Sequence, residues 1–167
     1  MSTVLPFTLE AQQGHLQCWA AIAISLGRFY QRQFVPTQQA FARLVLGANC
    51  DQVCPPLQAM RYMHLEYQEQ EGMLPLGQLK SHLQSGHPLL VAMRYFIGWH
   101  LVVIYGVDEE DKVWIADPLY GLACSPYEQL QQSYLQHYHW SHSYLFVRHI
   151  ESLAEEAMSE QERTLRS

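Results

Sequence analysis

A stretch that is apolar on every side has no place on a protein surface, and the run CWAAIAISLGRFY, from Cys18 to Tyr30, is broken only by Ser25, Gly27 and Arg28. At this length and without proline it predicts a helix enclosed by protein, with a cysteine at its start. Such a helix needs layers to cover it. At 167 residues and 49% hydrophobic, the chain can bury one good core but does not divide comfortably into two. A single domain over residues 1–150 is therefore expected.

Pro36 and Thr37 open a second helix, with Thr37 as N-cap and Gly47 as the stop after ARLVL. Residues 48–56, ANCDQVCPP, read as loop. A third helix is expected between Pro75 and Gly86, where Leu76, Leu79 and Leu83 share one face. After Gly86 the character changes. Pro88–Tyr95, Leu101–Val107, Val113–Ala116 and Tyr144–His149 are rich in Val, Ile, Tyr and Phe and read as strands. The polar link DEEDK predicts an antiparallel hairpin between the second and third of them. Helices followed by strands make an α+β fold, with the enclosed helix packed on a C-terminal antiparallel sheet. The tail, residues 151–167, is expected to be a charged surface helix or tail.

The ten Lys and Arg are scattered and the net charge is -6, which argues against nucleic acid or an anionic membrane as partner. No basic segment followed by an apolar one opens the chain, and no apolar run reaches spanning length. A reducing interior is expected, so Cys18, Cys50, Cys54 and Cys124 read as free thiols. Cys50, Cys54, Cys124 and His64 lack the paired spacings of strong zinc signals, so neither metal nor cofactor is expected. The cluster His137, Tyr138, His139, Trp140 and His142 reads as structure, or as one wall of a substrate cleft.

A thiol attacks only as the thiolate, and a helix N-terminus together with an imidazole favours that form. Cys18 is the candidate nucleophile and His100, in GWHLVVIYGV, the candidate base. Asp117 lies seventeen residues on, room for a strand, a turn and a returning strand, and would hold the second ring nitrogen. Gln12, six residues before Cys18, would join the Cys18 backbone N–H in stabilising an oxyanion, with Gln13 as the fallback.

Gln12, then Cys18-Trp19-Ala20-Ala21, then Gly98-Trp99-His100 and Ile115-Ala116-Asp117-Pro118 resemble the papain-like cysteine proteases, most of all their compact bacterial effector branch. The resemblance spans roughly residues 5 to 150. It implies Cys18 as nucleophile, His100 as general base and acid, Asp117 as orienting group and Gln12 as oxyanion donor. Trp19 would pack beside the nucleophile and, with Trp99, face the substrate. Asp117 stands where papain has an asparagine.

The function expected is a thiol protease working through an acyl-enzyme on protein or peptide substrates, with a cognate inhibitor or immunity protein as a further expected partner. Its location would be the cytoplasm, or a target cell reached by export without a signal peptide, as for an effector or toxin. The same groups would serve a glutamine deamidase or transglutaminase-like acyl transferase. A peptide-binding module that has lost turnover is the third alternative.

Overall fold

The helix expected at Cys18 forms as α1 (Cys18–Phe29) in the computed structural model, which describes residues 2–150 and 163–166. Every residue from Trp19 to Gly27 is buried. Ser25 is satisfied there, its hydroxyl donating to the Ala21 carbonyl and accepting from the Glu10 N–H. The second helix, α2 (Gln38–Leu46), starts where Thr37 Oγ1 accepts from the Ala40 N–H at 3.2 Å and ends at Gly47, whose φ is 80°. A short helix, α3 (Pro56–Tyr62), follows the loop and was not expected from its double proline; proline is at home in a first turn, where its missing N–H costs nothing. Then come α4 (Leu76–Gln84) and α5 (Tyr127–Gln132).

The strands are β1 (Thr3–Val4), β2 (Leu65–Glu71), β3 (Leu89–Tyr95), β4 (Gly98–Val107), β5 (Lys112–Asp117), β6 (Gly121–Pro126) and β7 (His139–His149). They form one sheet in the order β2-β7-β3-β4-β5-β6, with β1 added to β4, and every pairing is antiparallel. The α+β class is as expected, and β4 and β5 are the hairpin around DEEDK. Helices cover both faces, which explains why β4 reads as an unbroken apolar run. Leu101, Val103 and Tyr105 pack toward α1, α2 and α3, while Val102 and Ile104 pack with Leu79, Leu83 and Leu130 from α4 and α5.

Three strands had no clear signal in the sequence. β2 is LEYQEQE, with only Leu65 and Tyr67 buried, because it is an edge strand whose ladder is completed by β7. It precedes the helix α4, so the order of helices first and strands afterwards has an exception here. β6 is the opposite edge and mostly exposed, and β1 has two residues. β4 starts three residues before the expected Leu101, since Trp99 pairs with Arg94 and Gly98 with Tyr95, and this puts His100 within the strand. The charged tail expected over 151–167 lies outside the described residues except for 163–166, which are helical.

Histidines meet where α1 ends and α4 turns into β3. Tyr30 Oη and His87 Nδ1 are 3.0 Å apart, and the rings of His82 and His87 are 5.8 Å apart. Burial, joined by the repulsion of His87, pulls His82 down to about 4. Burial also lowers His87, with His149 opposing its charge, and lowers His149, with Arg32 opposing. Histidines held below their ordinary value give stability above pH 6.5 that is lost as pH falls through the folded value. Stability is thus expected to drop between pH 6.5 and 4, and His82→Leu is expected to flatten that drop by about 1–2 kcal/mol, allowing for the partial exposure of the ring. Urea titrations at pH 7 and pH 5 measure it; equal slopes for both proteins would count against the assignment.

Candidate active site

Cys18 is the first residue of α1, at the end where unpaired N–H groups point outward. Gln17 just before it is buried and its amide donates to the Cys50 carbonyl at 3.1 Å, which ties the start of the helix to the loop ahead of α3. Cys18 itself is partly exposed.

His100 and Asp117 come from adjacent strands, β4 and β5, and both are buried. His100 Nε2 and Asp117 Oδ1 are 2.7 Å apart. This leaves Nδ1 as the ring nitrogen available to Cys18, whose thiol interacts with the imidazole. Burial pulls the imidazole down, but the Asp117 hydrogen bond and charge, with the Cys18 contact, outweigh it and raise His100 to about 9. For Asp117 burial acts upward, yet the His100 hydrogen bond and charge and two backbone donors prevail and hold the carboxyl below its ordinary value.

Asp117 also builds its own turn. Its Oδ1 accepts from the N–H groups of Leu119 at 2.9 Å and Tyr120 at 3.0 Å, the Asx arrangement that an Asp-Pro pair favours. Its Oδ2 accepts from the Tyr134 hydroxyl at 2.8 Å. Tyr134 was not singled out in the sequence, where a tyrosine between α5 and β7 has no distinguishing pattern. A tight reversal holds it, with Tyr134 and Tyr138 exchanging backbone hydrogen bonds and Leu135 and Gln136 at positive φ of 48° and 71°. The Tyr138 ring lies 5.7 Å from that of His100. Tyr134→Phe leaves a carboxylate oxygen without its donor in a buried place, and is expected to cost about 1–3 kcal/mol in urea unfolding. An unchanged midpoint would show that the hydrogen bond is replaced.

Gln12 borders the same cleft, held by its backbone N–H on the Pro118 carbonyl at 2.8 Å. Its amide donates to the carbonyls of Gly14 at 2.9 Å and His15 at 3.0 Å, and its Oε1 is buried without a partner. Both amide hydrogens are therefore committed within the loop, and a donor role for Gln12 requires its amide to turn. The Gln13 side chain is exposed, and its N–H donates to Gln38 Oε1 at 3.2 Å. Gln38, fully buried, donates in turn to Glu10 and to the Ala11 carbonyl and so holds the approach to Cys18. Nothing in the sequence marked Gln38, whose helical position looks like an ordinary first turn.

The cleft has a volume of about 670 Å³ and runs past Cys18 and His100. Trp19 borders it but is 1% exposed, packed near Phe41 with its indole N–H on the Gln52 carbonyl at 2.8 Å. Trp99, by contrast, is 58% exposed at the rim. Tyr138 and His142 of the late aromatic cluster also line the cleft. The four cysteines are free thiols. Cys54 lines the cleft too, and burial, with the charge of nearby Cys18 adding to it, pushes its thiol up to about 11 against a backbone hydrogen bond. Among the described residues no group of three or more His, Cys, Asp or Glu side chains is placed to hold a metal, and no helix is long and apolar enough to cross a membrane.

Set against known proteins, residues 1–134 match the family model of the papain-like cysteine protease AvrRpt2. The fold is similar to that of the peptidase domain of Streptococcus ComA, a bifunctional ABC transporter involved in a quorum-sensing pathway. That similarity has a TM-score of 0.64 and 15% identity, over 87% of this chain and 99% of that one. It is also similar to a double-glycine motif protease from an AMS/PCAT transporter, solved with a leader peptide, at a TM-score of 0.60 and 22% identity over 86% and 93% of the two chains. UfSP from C. elegans matches at 0.59 and 14% identity, over 91% of this chain and 35% of that one. No curated protein matches the sequence.

Proposed function

Because the chain belongs to the papain-like cysteine protease AvrRpt2 family, we propose that it hydrolyses peptide bonds through Cys18, His100 and Asp117, carried by residues 1–150 as one catalytic domain. The observation that carries this is the His100–Asp117 hydrogen bond of 2.7 Å, with Cys18 interacting with the same imidazole on the wall of an open cleft. Cys18 passes its proton to His100 and its sulfur attacks the peptide carbonyl carbon. The oxyanion takes the Cys18 backbone N–H, and Gln12 joins it if its amide turns away from Gly14 and His15. His100 then gives its proton to the departing amine as the C–N bond breaks, leaving an acyl-enzyme. Water attacks the acyl carbon with His100 as base, the acid departs and the thiol is restored. Asp117 keeps Nε2 occupied throughout, so that Nδ1 does the proton transfers.

A peptide substrate is supported by the fold it shares with the double-glycine motif protease, whose structure holds a leader peptide. Trp99 at the rim is a surface for substrate side chains, while Trp19 acts by packing. Four free thiols suit a reducing interior, in keeping with an effector that works inside a target cell. Wild-type protein and Cys18→Ala incubated with host and bacterial lysates, followed by peptide mass spectrometry, test the reading. New N-termini made by the wild type alone support the protease; glutamine-to-glutamate conversion without new N-termini replaces it with the deamidase.

A further inference from the structure

At the far side of the cleft from α1, β2 and β7 place a carboxylate among aromatic and imidazole groups. Glu69 and Tyr144 are paired across these strands, and both line the cleft together with His142. The Tyr144 hydroxyl donates to Glu69 Oε1 at 3.3 Å, and His142 Nε2 lies 3.7 Å from that same oxygen. Oε2 has no protein partner among the described residues, and the Glu69 side chain is 46% exposed. Among the described residues no other carboxylate lines the cleft, since Asp117 sits behind His100 and is 1% exposed. The same cleft is also lined by Ala92, Leu101, Trp19 and Tyr138, with His100 beside the nucleophile.

We propose that Glu69 forms a subsite selecting a basic side chain, arginine or lysine, in the peptide that occupies the cleft. A carboxylate with one oxygen steadied by a tyrosine and the other open is a ready acceptor for a guanidinium or ammonium group. The apolar walls suit the methylene stem of such a side chain, which lies along apolar surface while the charge reaches the acid. Tyr144 orients the carboxylate rather than neutralising it, for it is itself held protonated, raised to about 12 by burial and by the Glu69 charge. A glutamate or aspartate side chain in the same place meets repulsion, so the subsite discriminates by sign as well as by size.

The substrate class rests on the protease reading, but the site is tested apart from turnover. Acetyl-argininamide, acetyl-norleucinamide and acetyl-glutamate amide are titrated into wild-type protein and Glu69→Gln while the amide resonances of Ala92 and Tyr144 are followed by NMR. Arginine is expected to bind about fivefold more tightly than norleucine, and glutamate more weakly than either; Glu69→Gln, which keeps the shape and loses the charge, is expected to erase the difference. Glu69→Lys is expected to reverse it. Equal affinity of arginine and norleucine for the wild type, or an arginine preference that survives in Glu69→Gln, overturns the subsite. Arginine preference that depends on Glu69 in a protein that cleaves nothing upholds the subsite and overturns the protease reading instead. In cleavage profiles of a peptide library, an Arg or Lys enrichment near the cut site is expected for wild type and not for Glu69→Gln.

Discussion

Cys18→Ala is expected to lower peptide hydrolysis by at least about 10⁴-fold, because Cys18 is the thiol that interacts with the His100 imidazole and would form the acyl-enzyme. The neighbouring thiol, Cys54, is no substitute: it is buried against the Pro55 carbonyl and raised to about 11, so it is almost wholly protonated at neutral pH. Cys18 is only partly buried, so its loss is expected to leave the thermal midpoint within a few degrees of the wild type. Nucleophile and base act as a unit. His100→Ala is therefore expected to cost a similar factor, and the double variant little more than either alone. Rates measured on one peptide found by mass spectrometry, alongside thermal unfolding, check this; a variant within tenfold of the wild type, equally folded, would remove Cys18 from the mechanism.

Asp117→Asn is expected to reduce kcat/KM by about 10²- to 10⁴-fold, and the loss should deepen as pH rises. The asparagine keeps an acceptor for Nε2 but loses the charge that, against burial, raises His100 to about 9. Without it burial prevails, and the imidazolium gives up its proton at lower pH. The alkaline limb of the pH profile is expected to move down by at least about one unit. Stability follows the same sign. A histidine raised by its partner contributes stability that is complete below pH 6.5 and is lost as pH rises through about 9. The stability gap between wild type and Asp117→Asn is thus expected to narrow across that window. Asp117→Ala is a poorer probe, since it also strands the N–H groups of Leu119 and Tyr120 and the Tyr134 hydroxyl. An unmoved alkaline limb in Asp117→Asn would assign the raised imidazole to Cys18 alone.

What the sequence showed clearly was whatever local chemistry repeats or interrupts. The run from Cys18 shows its burial by being apolar on every side, and Thr37 and Gly47 carry the cap and stop of α2. β4 betrays burial on two faces by having no polar alternation at all. The order Gln12, Cys18, His100, Asp117 is visible because these residues stand beside recognisable punctuation: a helix start, a strand and an Asp-Pro turn. β2 was hidden for the opposite reason, since an edge strand buries two side chains and shows solvent the rest.

The residues that hold the site were decided by partners distant along the chain. Gln38 acts on segment 10–13 from some 27 positions away, and Tyr134 on Asp117 from 17. Each is an ordinary polar residue until folding removes water from its neighbour, when one hydrogen bond becomes obligatory. Glu69 is plainer still in sequence, one acid in a strand of three glutamates, and becomes distinctive only where β2 meets β7 at the rim of the cleft. The sequence by itself determined the buried helix, the central strands and the chemical types at Cys18, His100 and Asp117, because periodicity and residue chemistry are local properties. Tertiary structure alone decided that His100 Nε2 meets Asp117, that the Gln12 amide is spent on its own loop and that one cleft joins Cys18 to Glu69, because distance, desolvation and hydrogen-bond geometry exist only once remote segments are packed together.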